Sequence, residues 1–177
     1  MMAGLAGGFA IIPNLKQIYH QATTSMGAMA VTLFACSNAA GRVIWGGIHD
    51  KFGGKRILIA NLISQAIVLL LGSYFVANSM VYYFFAIWAG FNYGGVLVLY
   101  ASEGGAIWGP NKIPKVYGWL FFANVPGSLA PLFAGFMYDQ LSSFSVAFAI
   151  LSVYLILTAV YLIVKYPNNK SRVSVVS

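Results

Sequence analysis

The sequence predicts an all-α polytopic membrane protein, a bundle of helices that cross a lipid bilayer. Of the 177 residues, 60% are hydrophobic, only 7% are charged, and the mean hydropathy is +0.79. Soluble domains hold about 25% charged residues. The apolar residues form five stretches of about 20 residues, the length that crosses a hydrocarbon core about 30 Å thick. Because lipid offers the backbone no hydrogen bonds, we expect these stretches to be helical.

Six segments follow one another in the chain, and the first is predicted to be incomplete. Residues 1–15 are apolar but cover only about 22 Å at 1.5 Å per residue, so we expect the end of a truncated helix, with Pro13 near its outer end. The polar residues 166–177 are expected to form a disordered tail. Full spans are predicted at 26–48, 57–77, 80–102, 116–138 and 144–164.

The distribution of cations predicts the orientation of these spans. Short loops rich in Lys and Arg remain in the cytoplasm. In the five-span arrangement only Lys16 lies on the opposite side from the other eight cations near span ends. We therefore expect a multi-pass protein of a plasma or inner membrane with both termini in the cytoplasm. The eight cations are Lys51, Lys55, Arg56, Lys112, Lys115, Lys165, Lys170 and Arg172.

Small residues at helical spacing are candidates for close contacts between helices. Gly4 and Gly8, and again Gly90 and Gly94, have the GxxxG spacing that lets two helix backbones approach in lipid. The same spacing arises by chance in a chain rich in glycine. Cys36 is the single cysteine, so no disulfide is possible, and we expect it to be a small buried side chain.

The composition gives little support to an enzyme. No HExxH helix, GxSxG elbow or complete G-x-x-x-x-G-K-[ST] loop is present in the sequence. Three acidic residues, two histidines and one cysteine leave few side chains for catalysis or a metal site. The cations that give the net charge of +7 lie between apolar blocks, and not on the basic face that nucleic-acid binding requires. We expect no enzymatic activity, no metal, no cofactor and no nucleic-acid partner, but contact with membrane lipid.

A polar segment between the first two full spans carries a recognisable pattern. It reads G-x-x-x-D-[RK]-x-G-x-[RK]-[RK] and resembles the signature loop of the major facilitator superfamily. The resemblance implies a conformational role for its aspartate; the alternative is that the segment only anchors at an anionic membrane surface. An aspartate at a helix end can also accept bonds from a neighbouring helix N-terminus, and a glycine permits a tight turn. The matching residues are Gly46, Asp50, Lys51, Gly53, Lys55 and Arg56.

The surrounding sequence narrows the resemblance. The R-x-x-x-G of Arg42 and Gly46, the FNYGG of the fourth segment and the stretch WGPNKIPKVYGWLFF are similar to the C-terminal half of the oxalate:formate antiporter and monocarboxylate transporter group, over about residues 41–135. This implies helices seven to twelve of a carrier that moves small organic anions by alternating access, through exchange or proton coupling. Its partner is then an N-terminal six-helix half, missing from this chain or separate, or a second copy. The alternative is a non-transporting scaffold or inactive fragment.

Arg42 is the central candidate for substrate binding. A cation at the centre of a membrane helix costs about 2.5 to 3.5 kcal/mol and usually faces a cavity or a partner. The alternative is snorkelling, because Asp50 is only about 12 Å further along the helix. The resemblance places a carboxylate-binding arginine at this position, and a guanidinium can hold a carboxylate through two parallel bonds. Asn38 and Trp45 are expected on the same face, Asn38 to orient the guanidinium or substrate, Trp45 to line the cavity or meet lipid.

The resemblance adds further candidates in two other spans. It implies aromatic and polar pocket residues at Trp88, Asn92 and Tyr93, although aromatic side chains in helices more often pack or meet lipid. In the next span Asn124 occupies the position where some oxalate-transporting relatives carry a lysine. A single intramembrane cation suits a monocarboxylate such as formate, lactate or pyruvate better than a dianion.

Acidic residues and histidines near span ends complete the candidates. Glu103 has three alternative roles: an interfacial carboxylate, a partner of Arg42, or a proton carrier whose pKa is raised by burial. His49 and Asp139 lie at span ends, where we expect them only to be solvated.

Overall fold

The computed structural model describes residues 1–19, 21–75, 78–122 and 124–165, and within these ranges the regular structure is helical. The all-α prediction is confirmed for this part of the chain, while the predicted tail at 166–177 lies outside it. Short 3-10 turns lie at Ile12–Asn14 and Pro110–Lys112. The helices are α1 Met2–Ile11, α2 Leu15–Ile18, α3 Thr24–Phe52, α4 Gly54–Phe75, α5 Ser79–Trp108, α6 Ile113–Phe121, α7 Asn124–Gly127, α8 Ala130–Leu141 and α9 Ser145–Lys165.

Among the described residues, five helical segments are long and apolar enough to cross a membrane. Four of them are α3, α5, α9 and the first 19 residues of α4. The fifth is Ile113–Leu141, which comprises α6, α7 and α8. The helices extend beyond the predicted spans at the junction of α3 and α4, where the polar segment predicted between two spans is itself almost wholly helical.

The two longest helices begin and end with well-defined caps. At the start of α3, the Thr23 side chain accepts a hydrogen bond from the backbone N–H of Met26 at 3.2 Å. At the start of α5, the Asn78 side chain accepts one from the backbone N–H of Val81 at 3.0 Å. Gly53 and Gly109 follow the helices with φ of +80°. Glycine adopts this backbone conformation without steric cost, so each helix stops where the sequence supplies a glycine.

Helix α1 lies in the middle of the described bundle. Eight of its ten residues are buried, and it packs against α4, α5, α7, α8 and α9. Its glycines and alanines make this possible because they let neighbouring helices approach closely. Gln65 of α4 donates a hydrogen bond to the carbonyl oxygen of Gly4 at 2.9 Å, which fixes α1 against α4.

Helices α3 and α5 touch through their backbones. A β-carbon added at Gly90 or Gly94 would overlap the carbonyl oxygen of Phe34 or Asn38 respectively. On the other helix, a β-carbon at Gly41 would overlap the carbonyl oxygen of Phe91. The GxxxG pair of α5 therefore marks a close contact.

The predicted span 116–138 is broken into three helices. Proline lacks the N–H that bonds four residues back and clashes with that carbonyl, and Pro126 and Pro131 both lie near the breaks. Side chains satisfy some of the freed carbonyls: Asn124 donates to Phe121 O at 2.9 Å and Ser128 donates to Val125 O at 2.8 Å. The breaks thus follow from the prolines that disturb this span.

Tyr82 offers a test of how α2 is attached to α5. Its ring is fully buried, and its hydroxyl donates to the carbonyl oxygen of Leu15 at 3.0 Å. We expect Tyr82→Phe to lower the free energy of unfolding by about 1 to 2 kcal/mol, because the Leu15 carbonyl would remain buried without this donor. Thermal unfolding in detergent measures the loss. Tyr83→Phe, at a half-buried neighbouring ring, is the matched control, and an equal loss in both variants would contradict this role for the hydroxyl.

Candidate functional site

Arg42 lies on an exposed side of α3, about two thirds of the way along the helix. Its Nε donates to Asn38 Oδ1 at 3.1 Å, one turn earlier. Within the described ranges no carboxylate forms an ion pair with the guanidinium. The structure thus presents a cation that is oriented by a neutral amide and whose charge is not matched by an acid in the described bundle.

The backbone that carries Arg42 is held firmly against α5. Gly41 packs on the carbonyl of Phe91, and the β-carbon position of Gly94 lies 3.1 Å from the backbone nitrogen of Arg42. Because close-packed backbones leave little room for rotation, the guanidinium projects from a fixed base.

Tyr93 is the α5 candidate that the structure brings to Arg42. The two side chains are close enough to interact electrostatically. The Tyr93 ring is buried and packs against Phe9 and Phe34, with ring centroids 5.8 and 6.0 Å apart. This packing holds the tyrosine between α1 and α3.

Trp45 does not share the face of Arg42, so that expectation is wrong. It is buried, its ring centroid lies 5.7 Å from that of Phe91, and it clusters with Leu58 and Leu99. At about 100° per residue, a residue three positions on is rotated by about 60° from Arg42. The boundary between the buried and exposed sides of α3 falls within that angle.

Trp88 and Asn92 lie between α4 and α5 and not beside Arg42. Trp88 Nε1 donates to Ser64 Oγ at 3.0 Å, and Asn92 Nδ2 donates to Trp88 O at 3.1 Å. Asn61 Nδ2 in turn donates to Asn92 O at 3.0 Å. The Trp88–Ser64 and Asn61–Asn92 bonds connect the two helices, as interhelical polar contacts do in membranes, whereas the Asn92–Trp88 bond lies within α5. Asn124 is half-exposed at the start of α7, and its amide donates within its own segment.

His49 is the site residue that sequence reasoning missed. It was expected to be solvated, yet it is only 8% exposed, and its Nε2 lies 3.2 Å from Glu103 Oε2 of α5. Its Nδ1 lies 3.6 Å from Asp50 Oδ1. Glu103 therefore pairs with His49 and not with Arg42, which lies two helical turns away. The sequence contains a signal for the burial of His49, because Gly41, Trp45 and His49 follow each other at four-residue spacing on the buried side of α3.

Glu103, and not Asp50, lies at the N-terminus of a neighbouring helix, the position that was expected for Asp50. A β-carbon at Gly54, the first residue of α4, would overlap the Glu103 carboxylate. A carboxylate at a helix N-terminus is stabilised by the unpaired N–H groups and the helix dipole. The Asp50 side chain is instead 81% exposed.

The remaining residues of the signature pattern surround this junction. Gly53 is the one residue between α3 and α4. Lys55 Nζ donates to Ile163 O at 3.1 Å, in the last turn of α9. Lys51 Nζ lies 5.4 Å from the centroid of the Phe52 ring, and Arg56 is exposed. Lys55 is thus directed to a neighbouring helix as well as being a candidate membrane anchor.

In the part of the chain that the structure describes, five long apolar helical segments and a buried glycine-rich helix indicate an integral, multi-pass membrane protein. The family model of the Major Facilitator Superfamily matches residues 1–176. The chain therefore belongs to this superfamily and is a membrane transport protein. A search of curated protein sequences finds no significant match.

Proposed function

We propose that the chain is one half of a secondary carrier for small organic anions, with Arg42 as the residue that binds the substrate carboxylate. The observation that carries this proposal is an exposed guanidinium on an apolar helix that is oriented by Asn38 without an acidic partner among the described residues. An entering carboxylate supplies the missing countercharge.

The small buried fraction of α3 supports a partner on its uncovered side. Only 22% of its apolar stretch is buried in the bundle, compared with 56% for α5. A lipid-facing arginine costs about 2.5 to 3.5 kcal/mol, a cost that a water-filled cavity between two halves removes. The partner we propose is an N-terminal six-helix half, in the same protein or on a separate chain, or a second copy of this chain.

The contacts of the guanidinium favour a monocarboxylate. Nε already donates to Asn38, so the two terminal Nη groups remain to hold one carboxylate end-on through parallel bonds. The Tyr93 hydroxyl is the nearby neutral group that we assign to the substrate. Formate, lactate or pyruvate match one cation and one hydroxyl better than oxalate, whose second charge has no proposed counterpart.

The signature junction is assigned to conformational control. In this proposal Asp50 and its neighbours help to hold one of two access states, and both termini are cytoplasmic in a plasma or inner membrane. Exchange or proton coupling drives transport, and in the case of proton coupling Glu103 belongs to the site that carries the proton. No cofactor takes part.

Uptake into proteoliposomes tests the proposal. The chain is reconstituted with an N-terminal six-helix half of the superfamily, and labelled formate, lactate and oxalate are offered in turn. We expect saturable uptake of a monocarboxylate and at least about tenfold slower uptake of oxalate, because one cation leaves the second carboxylate unpaired. Vesicles with the added half alone are the control. Absence of uptake with both halves would favour the scaffold alternative.

A further inference from the structure

Two of the three acidic residues of the chain face the same buried histidine. Glu103 Oε2 lies 3.2 Å from Nε2 of His49, and Asp50 Oδ1 lies 3.6 Å from Nδ1. In a chain with so few carboxylates, this convergence on one imidazole calls for a chemical reason.

The chemistry of the imidazole ring gives a reason for two carboxylates beside it. A neutral imidazole has one N–H and one lone pair, so one of its nitrogens would turn a lone pair toward a carboxylate. The imidazolium ion has a donor on each nitrogen. Nδ1 of His49 is buried and has no hydrogen-bond partner among the described residues, and a proton bound there would turn it into a donor directed at Asp50.

The His49 ring is buried, but one of the two carboxylates next to it is exposed to solvent. His49 is 8% exposed, and the side chains of Glu103 and Asp50 are 16% and 81% exposed. Asp50 therefore joins the buried ring to solvent. Histidine is the side chain whose charge changes between pH 5 and 8.

The other charged groups at this end of the bundle are cations. Lys51 lies against the Phe52 ring, Lys55 donates to Ile163 O of α9, and Arg56 and Lys165 are exposed. Within the described ranges, both ion pairs at the junction are those of His49. No group of three His, Cys, Asp or Glu side chains in these ranges is arranged to hold a metal ion.

We propose that His49 is a proton-binding site, and that the bound proton holds the ends of α3 and α5 and the start of α4 together. The proton sits on the imidazole between the Asp50 and Glu103 carboxylates, and Glu103 in turn rests on Gly54 at the start of α4. Loss of the proton leaves a lone pair facing a carboxylate, so the junction loosens. The role of this proton in driving transport rests on the proposed function, whereas its binding does not.

Hydrogen exchange measures the junction without any transport. The full chain in lipid nanodiscs is labelled at pH 6 and pH 8.5, and exchange of the amides in residues 49–56 is corrected for the intrinsic effect of pH. We expect corrected exchange to be about tenfold slower at pH 6, because the protonated ring forms a charge-assisted bond to Glu103 at 3.2 Å and an ion pair with Asp50 at 3.6 Å.

Substitutions separate this site from other titrating groups. We expect His49→Gln and Glu103→Gln to abolish the pH difference, and Asp50→Asn, at an exposed position, to reduce it severalfold even if the buried variants do not fold. Asp139→Asn and His20→Gln, which change the third acid and the second histidine, should retain it. Equal exchange at both pH values in the unmodified chain, or an undiminished difference in Asp50→Asn, would overturn the proposal. Either result leaves the uptake test of Arg42 unaffected.

Discussion

Gly94→Ala is expected to force α3 away from α5 and to lower the melting temperature by about 2 to 12 °C. The added β-carbon would overlap the carbonyl oxygen of Asn38 and lie 3.1 Å from the nitrogen of Arg42. Overpacking costs about 1 to 3 kcal/mol, and 1 kcal/mol corresponds to about 2 to 4 °C for a chain of this size. The neighbour is backbone, so no side-chain rotation can relieve the overlap.

The same substitution at Gly47 is the control. Gly47 is an exposed glycine of α3 with nothing within 4 Å of its β-carbon position. There we expect no loss, and up to about 1 kcal/mol of gain from the higher helix propensity of alanine. Thermal unfolding followed by size-exclusion chromatography in detergent compares the two. Equal behaviour of both variants would show that α3 and α5 are not in backbone contact.

Arg42→Gln is expected to reduce the initial rate of monocarboxylate uptake at least about thirtyfold. Truncating one partner of a desolvated charge pair costs about 2 to 5 kcal/mol, and each 1.4 kcal/mol is a factor of ten. Arg42→Lys keeps the charge but not the planar fork, so we expect an intermediate loss of about tenfold. Labelled uptake into proteoliposomes measures both variants.

Two comparisons make this prediction specific. Lys112→Gln removes an exposed cation from the turn before α6 and should leave uptake within about twofold, because an exposed charge contributes little. Full retention of uptake in Arg42→Gln would remove the carboxylate site from the account. An equal loss in Lys112→Gln would show that net charge, and not the guanidinium, controls the rate.

Composition and length were enough to predict the helical class of the protein. Apolar stretches of span length leave helices as the arrangement that satisfies the backbone in lipid. The contact between Asn38 and Arg42 also follows from a local rule, because side chains four residues apart on a helix are neighbours. The signature pattern also predicts where the α3–α4 junction lies.

The rotation of each helix about its axis could not be predicted in the same way. Trp45 and Arg42 differ by about 60° around α3, and only the position of α5 decides that one is buried and the other exposed. The pair of His49 and Glu103 joins residues 54 positions apart, which no local spacing encodes. Cys36, expected to be buried, is exposed because α3 is covered mainly on the side of α5.

The most direct test of the central claim is equilibrium binding of labelled formate, lactate and pyruvate, without a gradient, to the chain and its complementary half in nanodiscs. The account predicts saturable binding of at least one of them, loss of that binding in Arg42→Gln, and competition by other monocarboxylates. Binding of the same strength in Arg42→Gln would contradict it, because the substrate carboxylate would then be held by other groups.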